Sequence, residues 1–599
     1  MTPDKMRRRF LACCSGIGLG GTLLPGVLWA QLQQDGAQQV TPEMLKGALG
    51  LSGLSFSETD QKSMLQAVNG SLARYDEIRN LHIPNNVAPP FYFSALTPGM
   101  KVNRTREPLR FSTPPVKRPA DLEDVAFWPV TQLAQLIKTR QVTSTELTKM
   151  YLARLHKYNE KLNCVVTFLD EVAVAQAKQA DAEIAAGRYK GPLHGIPWGA
   201  KDIIAVKGYK TTWGSAAYKD QMLDEEASLV EMLRDAGAVL LAKLTTGELA
   251  QGDQWFGGQT KNPWNIEQGS SGSSAGPAAA TAGGLVAFGI GSETSGSILS
   301  PAARCGVTGL RPTFGRISRY GVMALSWTQD RMGPLCRYAE DCALVMSVIA
   351  RPDGRDLSVS EIPFNWNAHL DVRKLRVGYL EGAFEETRDA AIKKIEERTL
   401  DQVKALGLKL VPVKIPEWNI DTSSIGVESG VFFDELIRSN RDKQMTNPGR
   451  ANSFRSSRLI PAVEYLQGQR ARSMMMAKLA EATAEIDVYL VPANQGGGGG
   501  GAGRGAVPTD GAAGTPPAGG GRGGRGGGGA NRSVVGRHFG MANLACYPAL
   551  NVVNGFTDTG TPTNITFYAR PFGEAELLAL GKAYQDATGF HLKHPALSV

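Results

Sequence analysis

Apolar and polar positions change rhythm several times along this chain. Met44, Leu45 and Leu49 fall at helical spacing, and a second helix is expected over roughly residues 58–80. Pro84, Pro89, Pro90, Pro98, Pro114, Pro115 and Pro119 then rule out long regular elements, so residues 31–120 read as a helical N-terminal extension with an extended connection. From about residue 121 the pattern alternates between helix and strand. Thr143-Ser-Thr-Glu146 is a capping box, opening a helix that puts Leu147, Met150, Tyr151 and Leu155 on one face. Leu229, Met232 and Leu233 mark another helix, stopped near Gly237, and the apolar run Ala238–Ala242 follows as a buried strand. Pro548–Val553 reads as a further strand, and Leu577, Leu578, Ala583 and Tyr584 suit a final helix. Helix, tight turn and buried strand in succession predict an α/β domain over residues 121–599, built on a covered, largely parallel sheet.

One stretch breaks this pattern. Residues at about 495–533 include GGGGGGAGRG and GGGRGGRGGGG, which have no side chains to bury and read as a flexible surface insertion. The first residues read as an address. In MRRRFLACC, Arg7 and Arg8 precede a spacer, Phe10 and Leu11, and a weakly apolar glycine-rich run ends near Leu28-Trp29-Ala30. This is the pattern of a twin-arginine signal over residues 1–30, which implies a periplasmic or secreted protein. The glycines and Pro25 make that run a poor spanning helix, so no stable membrane insertion is expected.

The formal net charge of +8 changes little, because Lys5, Arg7, Arg8 and Arg9 against Asp4 supply +3 of it and the rest forms no basic stripe. No nucleic acid partner is expected. Cys13 and Cys14 lie in the signal, leaving Cys164, Cys305, Cys336, Cys342 and Cys546, widely spaced and without zinc-ligand spacing. Most read as buried thiols, with Cys336 and Cys342 the one pair that could bridge.

Chemistry concentrates in three places. HGIPWGAKD (194–202) sends Lys201 into an apolar stretch; alone, that lysine would be read as reaching solvent or pairing with Asp202. GSSGSSAGPAAATAGG (269–284) and GSETSGSILSP (291–301) are joined by the apolar Leu285–Phe288, and a linker would not interleave with core segments in this way. Small residues there let backbone amides approach a ligand or an anionic intermediate.

With TTWGS (211–215), NPWN (262–265), CGVTGLRPTFGRIS (305–318), DRMGP (330–334) and ARPFGE (569–574), these motifs resemble the amidase signature family in their order, from about residue 124 to the C-terminus. The resemblance implies a large twisted mixed, mostly parallel central sheet with helices on both faces, and a Ser-cisSer-Lys triad. Its lysine falls on Lys201, its bridging serine on Ser273 and its nucleophile on Ser297. The spacing of 24 residues between the two serines matches the family and favours Ser273 over Ser270, Ser271 and Ser274. It further implies an oxyanion hole from the backbone amides of Thr294, Ser295, Gly296 and Ser297, supporting roles for Ser274 and Asp202, and a small-molecule amide substrate cleaved through an acyl-enzyme. No metal or cofactor is implied, and a homodimer is left open. A buried lysine loses its charge and can take a proton, relayed through Ser273, from Ser297.

The chain departs from the family where Ser271, Ala275 and Ser295 replace usual glycines and Leu299 replaces a usual arginine. A side chain at Ser295 is expected to narrow the oxyanion loop, and Arg304 to substitute for the missing charge. Four rivals stand beside amide hydrolysis, one of them a non-catalytic binding protein on the same fold, made conceivable by Ser295 and Leu299. GSSAG (272–276) is a literal GxSxG, but the preceding NPWNIEQGSS is no apolar strand, and His194, His591 and His594 have no evident partner role. An amidotransferase A-type subunit of tRNA-dependent transamidation shares the signature, and an esterase or carbamate hydrolase would use the same site. Phe432, Phe433 and Met474–Met476 hint at an apolar pocket, although such stripes are more often core.

Overall fold

The computed structural model describes residues 40–51, 93–418, 425–457, 462–493 and 533–597, with isolated positions between 58 and 69 and at 460. The expected signal and nearly all of the Gly/Arg-rich insertion and the 58–80 helix lie outside the described residues. Two compact units divide the chain: residues 1–87 with 459–461, and the remainder. In the first, Pro42–Leu51 is a helix that buries Leu45 and Leu49 and leaves Met44 exposed. Residues 93–120 run with the larger unit, where Arg110 N–H donates to the Trp366 carbonyl at 2.9 Å and Ser112 N–H to Glu340 Oε1 at 2.7 Å.

The larger unit is organised on an 11-stranded sheet. Its strands are β1 (Val165–Phe168), β2 (Pro197–Lys201), β3 (Val239–Leu244), β4 (Phe288–Glu293), β5 (Thr308–Arg311), β6 (Arg331–Cys336), β7 (Val377–Leu380), β8 (Leu410–Val413), β9 (Val488–Pro492), β10 (Ala549–Phe556) and β11 (Pro562–Ala569). Their order across the sheet is β1-β3-β2-β4-β6-β5-β10-β11-β9-β7-β8. The expected mixed sheet is present, but the expected preponderance of parallel pairing is not. Only β3-β2-β4 and β9-β7-β8 pair in parallel; the intervening run from β4 to β9 is antiparallel, as is the β1-β3 edge. The reason is clearest at β10 and β11, where a turn closed by Thr557 N–H on the Thr561 carbonyl is too short for a parallel crossover.

The helices used below are α1 (Ser144–Leu162), α2 (Ser228–Asp235), α3 (Ala275–Ala282), α4 (Leu299–Cys305), α5 (Ala339–Ile349), α6 (Ala462–Ala482), α7 (Val534–Leu544) and α8 (Glu574–Thr588). The capping box at α1 forms as expected, with Thr143 and Glu146 each satisfying the other's backbone N–H. Leu147, Tyr151 and Leu155 are buried in the main core, the two leucines contributing about 1.5–3 kcal/mol each, and Met150 packs at its margin. α2 ends before Gly237 and leads into β3, every residue of which is buried. A smaller apolar cluster gathers Leu299 of α4, Met475 and Met476 of α6, and Met541 and Ala542 of α7. Met474 is exposed, and Phe432 and Phe433 pack on Trp213 in the main core, so neither stripe by itself marks a pocket. All five described cysteines are buried free thiols, Cys336 and Cys342 included.

Candidate active site

Three parallel strands carry the lysine motif inward. β2 lies between β3 and β4, all five of its residues are buried, and Lys201 is its last. Its side chain is fully buried, so it does not reach solvent. Asp202 turns elsewhere, with Oδ1 2.8 Å from Lys243 Nζ and Oδ2 accepting from Thr212 N–H and hydroxyl. The supporting role expected of Asp202 is therefore exercised on Lys243.

Lys201 Nζ is surrounded by hydroxyls: Ser273 Oγ at 2.7 Å, Ser292 Oγ at 2.9 Å and Ser274 Oγ at 3.2 Å. Burial lowers its pKa to about 7, against the opposing pull of Asp330 and Glu293. Ser273 and Ser274 lie in the turn leading into α3, and the Gly272–Ser273 peptide is cis. Ser274 is committed to β4, since its Oγ donates to the Ser292 carbonyl and accepts from Ser292 N–H, both at 3.1 Å. Gly291 permits this approach, because a Cβ there would stand 2.5 Å from Ser274 Oγ. Ser271, a usual glycine in the family, takes φ 62°, a left-handed conformation that costs a non-glycine residue about 1–2 kcal/mol. Its N–H donates to Asp253 Oδ2 at 3.0 Å.

The third serine stands on the turn between β4 and α4. Ser274 N–H donates to the Ser297 carbonyl at 3.0 Å, which ties the two serine-bearing loops together beside Ser273. Ser297 is half-buried, whereas Ser273 is 1% exposed. Gly296 makes the turn at φ 87°, with the Phe539 ring of α7 against it. The N–H groups of Ser295, Gly296 and Ser297 have no acceptor among the described residues. Thr294 directs its hydroxyl to Asp330 Oδ1 at 2.5 Å and its carbonyl to Arg331 Nη2 at 2.8 Å. Ser295 is exposed, so its side chain faces solvent.

A buried ionic frame supports this turn. Glu293 Oε2 accepts from the N–H groups of Ile298 at 2.8 Å and Leu299 at 2.9 Å, while its Oε1 pairs with Arg311 Nη1 at 3.0 Å. Burial works to raise the Glu293 pKa, and Arg311, Arg331 and these two N–H groups outweigh it, holding the group below the usual carboxylate range. Asn543 Oδ1 joins Arg311 Nη1 at 2.7 Å to Arg331 Nη2 at 3.2 Å. Arg304, expected to supply charge in place of an arginine at Leu299, is exposed and donates to Gln268 Oε1 at 3.1 Å. That expectation is corrected: the charge near the loop comes from Arg311 and Arg331, while Leu299 is buried in the smaller apolar cluster.

No histidine bonds the three serines among the described residues. His194 accepts from Lys190 N–H at 3.1 Å and has Nε2 3.1 Å from Glu183 Oε2; His538 bonds Tyr489; His591 and His594 stack on Tyr338 and Phe127. Among the described residues no three His, Cys, Asp or Glu side chains converge as a metal cage would. Ser292 and Arg331 belong to the site and lie inside the motifs at 291–301 and 330–334, but nothing in those motifs singles either of them out. Ser292 is legible only as a polar residue interrupting the strand FGIGSE, and Arg331 only through its register opposite Glu293.

The Amidase family profile matches residues 146–497. The A-type subunit of glutamyl-tRNA(Gln) amidotransferase from Methylococcus capsulatus is 31% identical over 78% of this chain and 98% of its own length. That of Roseiflexus sp. is 32% identical, over 77% of this chain and 96% of its own. Among solved structures, the native peptide amidase of Stenotrophomonas maltophilia superposes with a TM-score of 0.64 at 27% identity, covering 78% of this chain and 98% of that one. The chain therefore belongs to the amidase signature family of enzymes acting on carbon–nitrogen bonds.

Proposed function

We propose that this chain is an amidase that hydrolyses a carboxylic amide through Ser297, Ser273 and Lys201. The observation that carries the reading is Lys201, buried among three serine hydroxyls with its pKa lowered to about 7. A neutral amine offers two N–H groups and one lone pair. The Ser274 hydroxyl already donates to the Ser292 carbonyl, so towards Lys201 it accepts. With Ser274 and Ser292 taking the two N–H groups, the lone pair faces Ser273. Lys201 then takes the Ser273 proton as Ser273 takes that of Ser297, and the Ser297 oxygen bonds to the amide carbonyl carbon.

The resulting oxyanion is held by the N–H groups of Ser295, Gly296 and Ser297, with Thr294 shaping the loop. Collapse breaks the C–N bond as Ser273 returns a proton to the departing nitrogen. Water, deprotonated by the same relay, then cleaves the acyl-enzyme and regenerates Ser297. In this reading Ser274 and Asp202 act as supports, the latter through Lys243. Residues 1–30 remain a proposed twin-arginine signal, with a periplasmic or secreted enzyme following from it. Residues 31–120 remain a proposed extension to a catalytic domain at 121–599.

Similarity to the two amidotransferase chains favours a second reading, an A-type subunit that releases ammonia from glutamine. A panel of anilides, peptide amides, carbamates, esters and glutamine, assayed on the isolated chain, separates the two. Amide turnover without a companion protein, with a fluorophosphonate attached to Ser297, supports the amidase. Glutamine turnover that appears only with a companion protein and tRNA supports the alternative.

A further inference from the structure

Arg331 is an arginine that pairing does not explain. It is 2% exposed, yet among the described residues it forms no ion pair and its Nε–H has no acceptor. Glu293 and Asp330 act on it through space, but neither forms an ion pair with it. Its bonds go to three oxygens: the Thr294 carbonyl at 2.8 Å, Asn543 Oδ1 at 3.2 Å and the Asn543 carbonyl at 3.4 Å. The antiparallel ladder sets Arg331 directly across from Glu293, so β4 and β6 place the guanidinium at the start of the Thr294–Ser297 turn. Asn543 of α7 holds it there and holds Arg311 by the same oxygen.

The peptide unit it grips is significant. In a trans peptide the carbonyl and the following N–H point in opposite directions within one plane. Fixing the Thr294 carbonyl on Arg331 therefore fixes the Ser295 N–H away from Arg331, and that N–H has no acceptor among the described residues. A charged donor on the carbonyl also polarises the peptide and strengthens its N–H as a donor. We propose that Arg331 is the positioning residue of the oxyanion hole, orienting and polarising the Thr294–Ser295 peptide so that Ser295 N–H meets the developing oxyanion. This rests on the reading of Ser297 as nucleophile. It also accounts for the loss of the arginine usual at Leu299: here the charge enters from β6.

The test compares wild type with Arg331→Gln and Arg331→Lys, on an anilide that wild type hydrolyses. Two inhibitors are used: a trifluoromethyl ketone, which forms a tetrahedral serine adduct, and the matching secondary alcohol, which cannot. In Arg331→Gln, kcat falls roughly 10- to 100-fold, less than the 10²–10³ lost when an oxyanion donor is removed outright, with KM within about threefold. The ketone weakens in proportion while the alcohol binds as before, and Arg331→Lys, which keeps one charged donor, recovers part of both losses. A ketone-to-alcohol inhibition ratio equal to wild type, in whichever variant folds, overturns the proposal. Ser297→Ala is run beside them: turnover surviving there overturns the underlying reading and this proposal with it, whereas an unchanged ratio beside a dead Ser297→Ala overturns the role of Arg331 alone.

Discussion

Lys201 Nζ stands 2.7 Å from Ser273 Oγ, inside a sheet where neither side chain reaches bulk water. The distance alone would suit a structural hydrogen bond. What separates the two uses is the charge on the amine, which burial brings down to a pKa of about 7.

The two serines have different jobs, and their replacements are expected to differ. Ser297→Ala removes the atom that bonds to the carbonyl, so turnover falls to background and fluorophosphonate labelling is lost. Ser273→Ala keeps that atom but interrupts the relay, lowering kcat about 10²- to 10⁴-fold, as loss of a general acid–base does. Both are read by steady-state kinetics and mass spectrometry of the labelled chain.

Asp202 and Lys243 form an ion pair with both side chains fully buried. Removing Asp202 leaves Lys243 buried with only the Lys210 carbonyl and the Thr211 hydroxyl to bond, and takes away the carboxylate that opposes its loss of charge. Asp202→Ala is expected to destabilise the fold by about 3–5 kcal/mol in urea denaturation, although Asp202 does not bond Lys201.

Arg304 serves as a negative control. Its exposed guanidinium bonds only Gln268 among the described residues, so Arg304→Ala should leave kcat/KM unchanged and stability within about 0.5 kcal/mol. A large loss in either would restore the role that its place in the chain suggests.

The contrast between Lys201 and Arg304 shows what the sequence could convey. Lys201, Ser273 and Ser297 each sit inside a contiguous motif, and the structure brings Ser273 within 2.7 Å of Lys201 and ties the Ser297 loop to Ser274. Arg304 is near the loop along the chain, but it lies five residues after Leu299 on α4, about 140° round the helix, and so faces away. Arg331 sits in DRMGP, far from the loop along the chain, and reaches it through strand register, which the motif itself does not reveal. Strand direction is hidden for the same reason. The helix–turn–strand grammar of 228–242 holds locally, yet it does not extend to the antiparallel run from β4 to β9.

The pH dependence of kcat/KM on a hydrolysed anilide reports ionisations of the free enzyme and so reads the charge on Lys201. Only neutral Lys201 can accept the relayed proton, so activity is lost as pH falls through its pKa and is restored above it. With Lys201 as the proton acceptor, kcat/KM rises with pH through a midpoint about 7 and then reaches a plateau. A profile flat from about pH 5.5 to 8.5, or one that rises only towards the ordinary lysine value near 10.4, would contradict it.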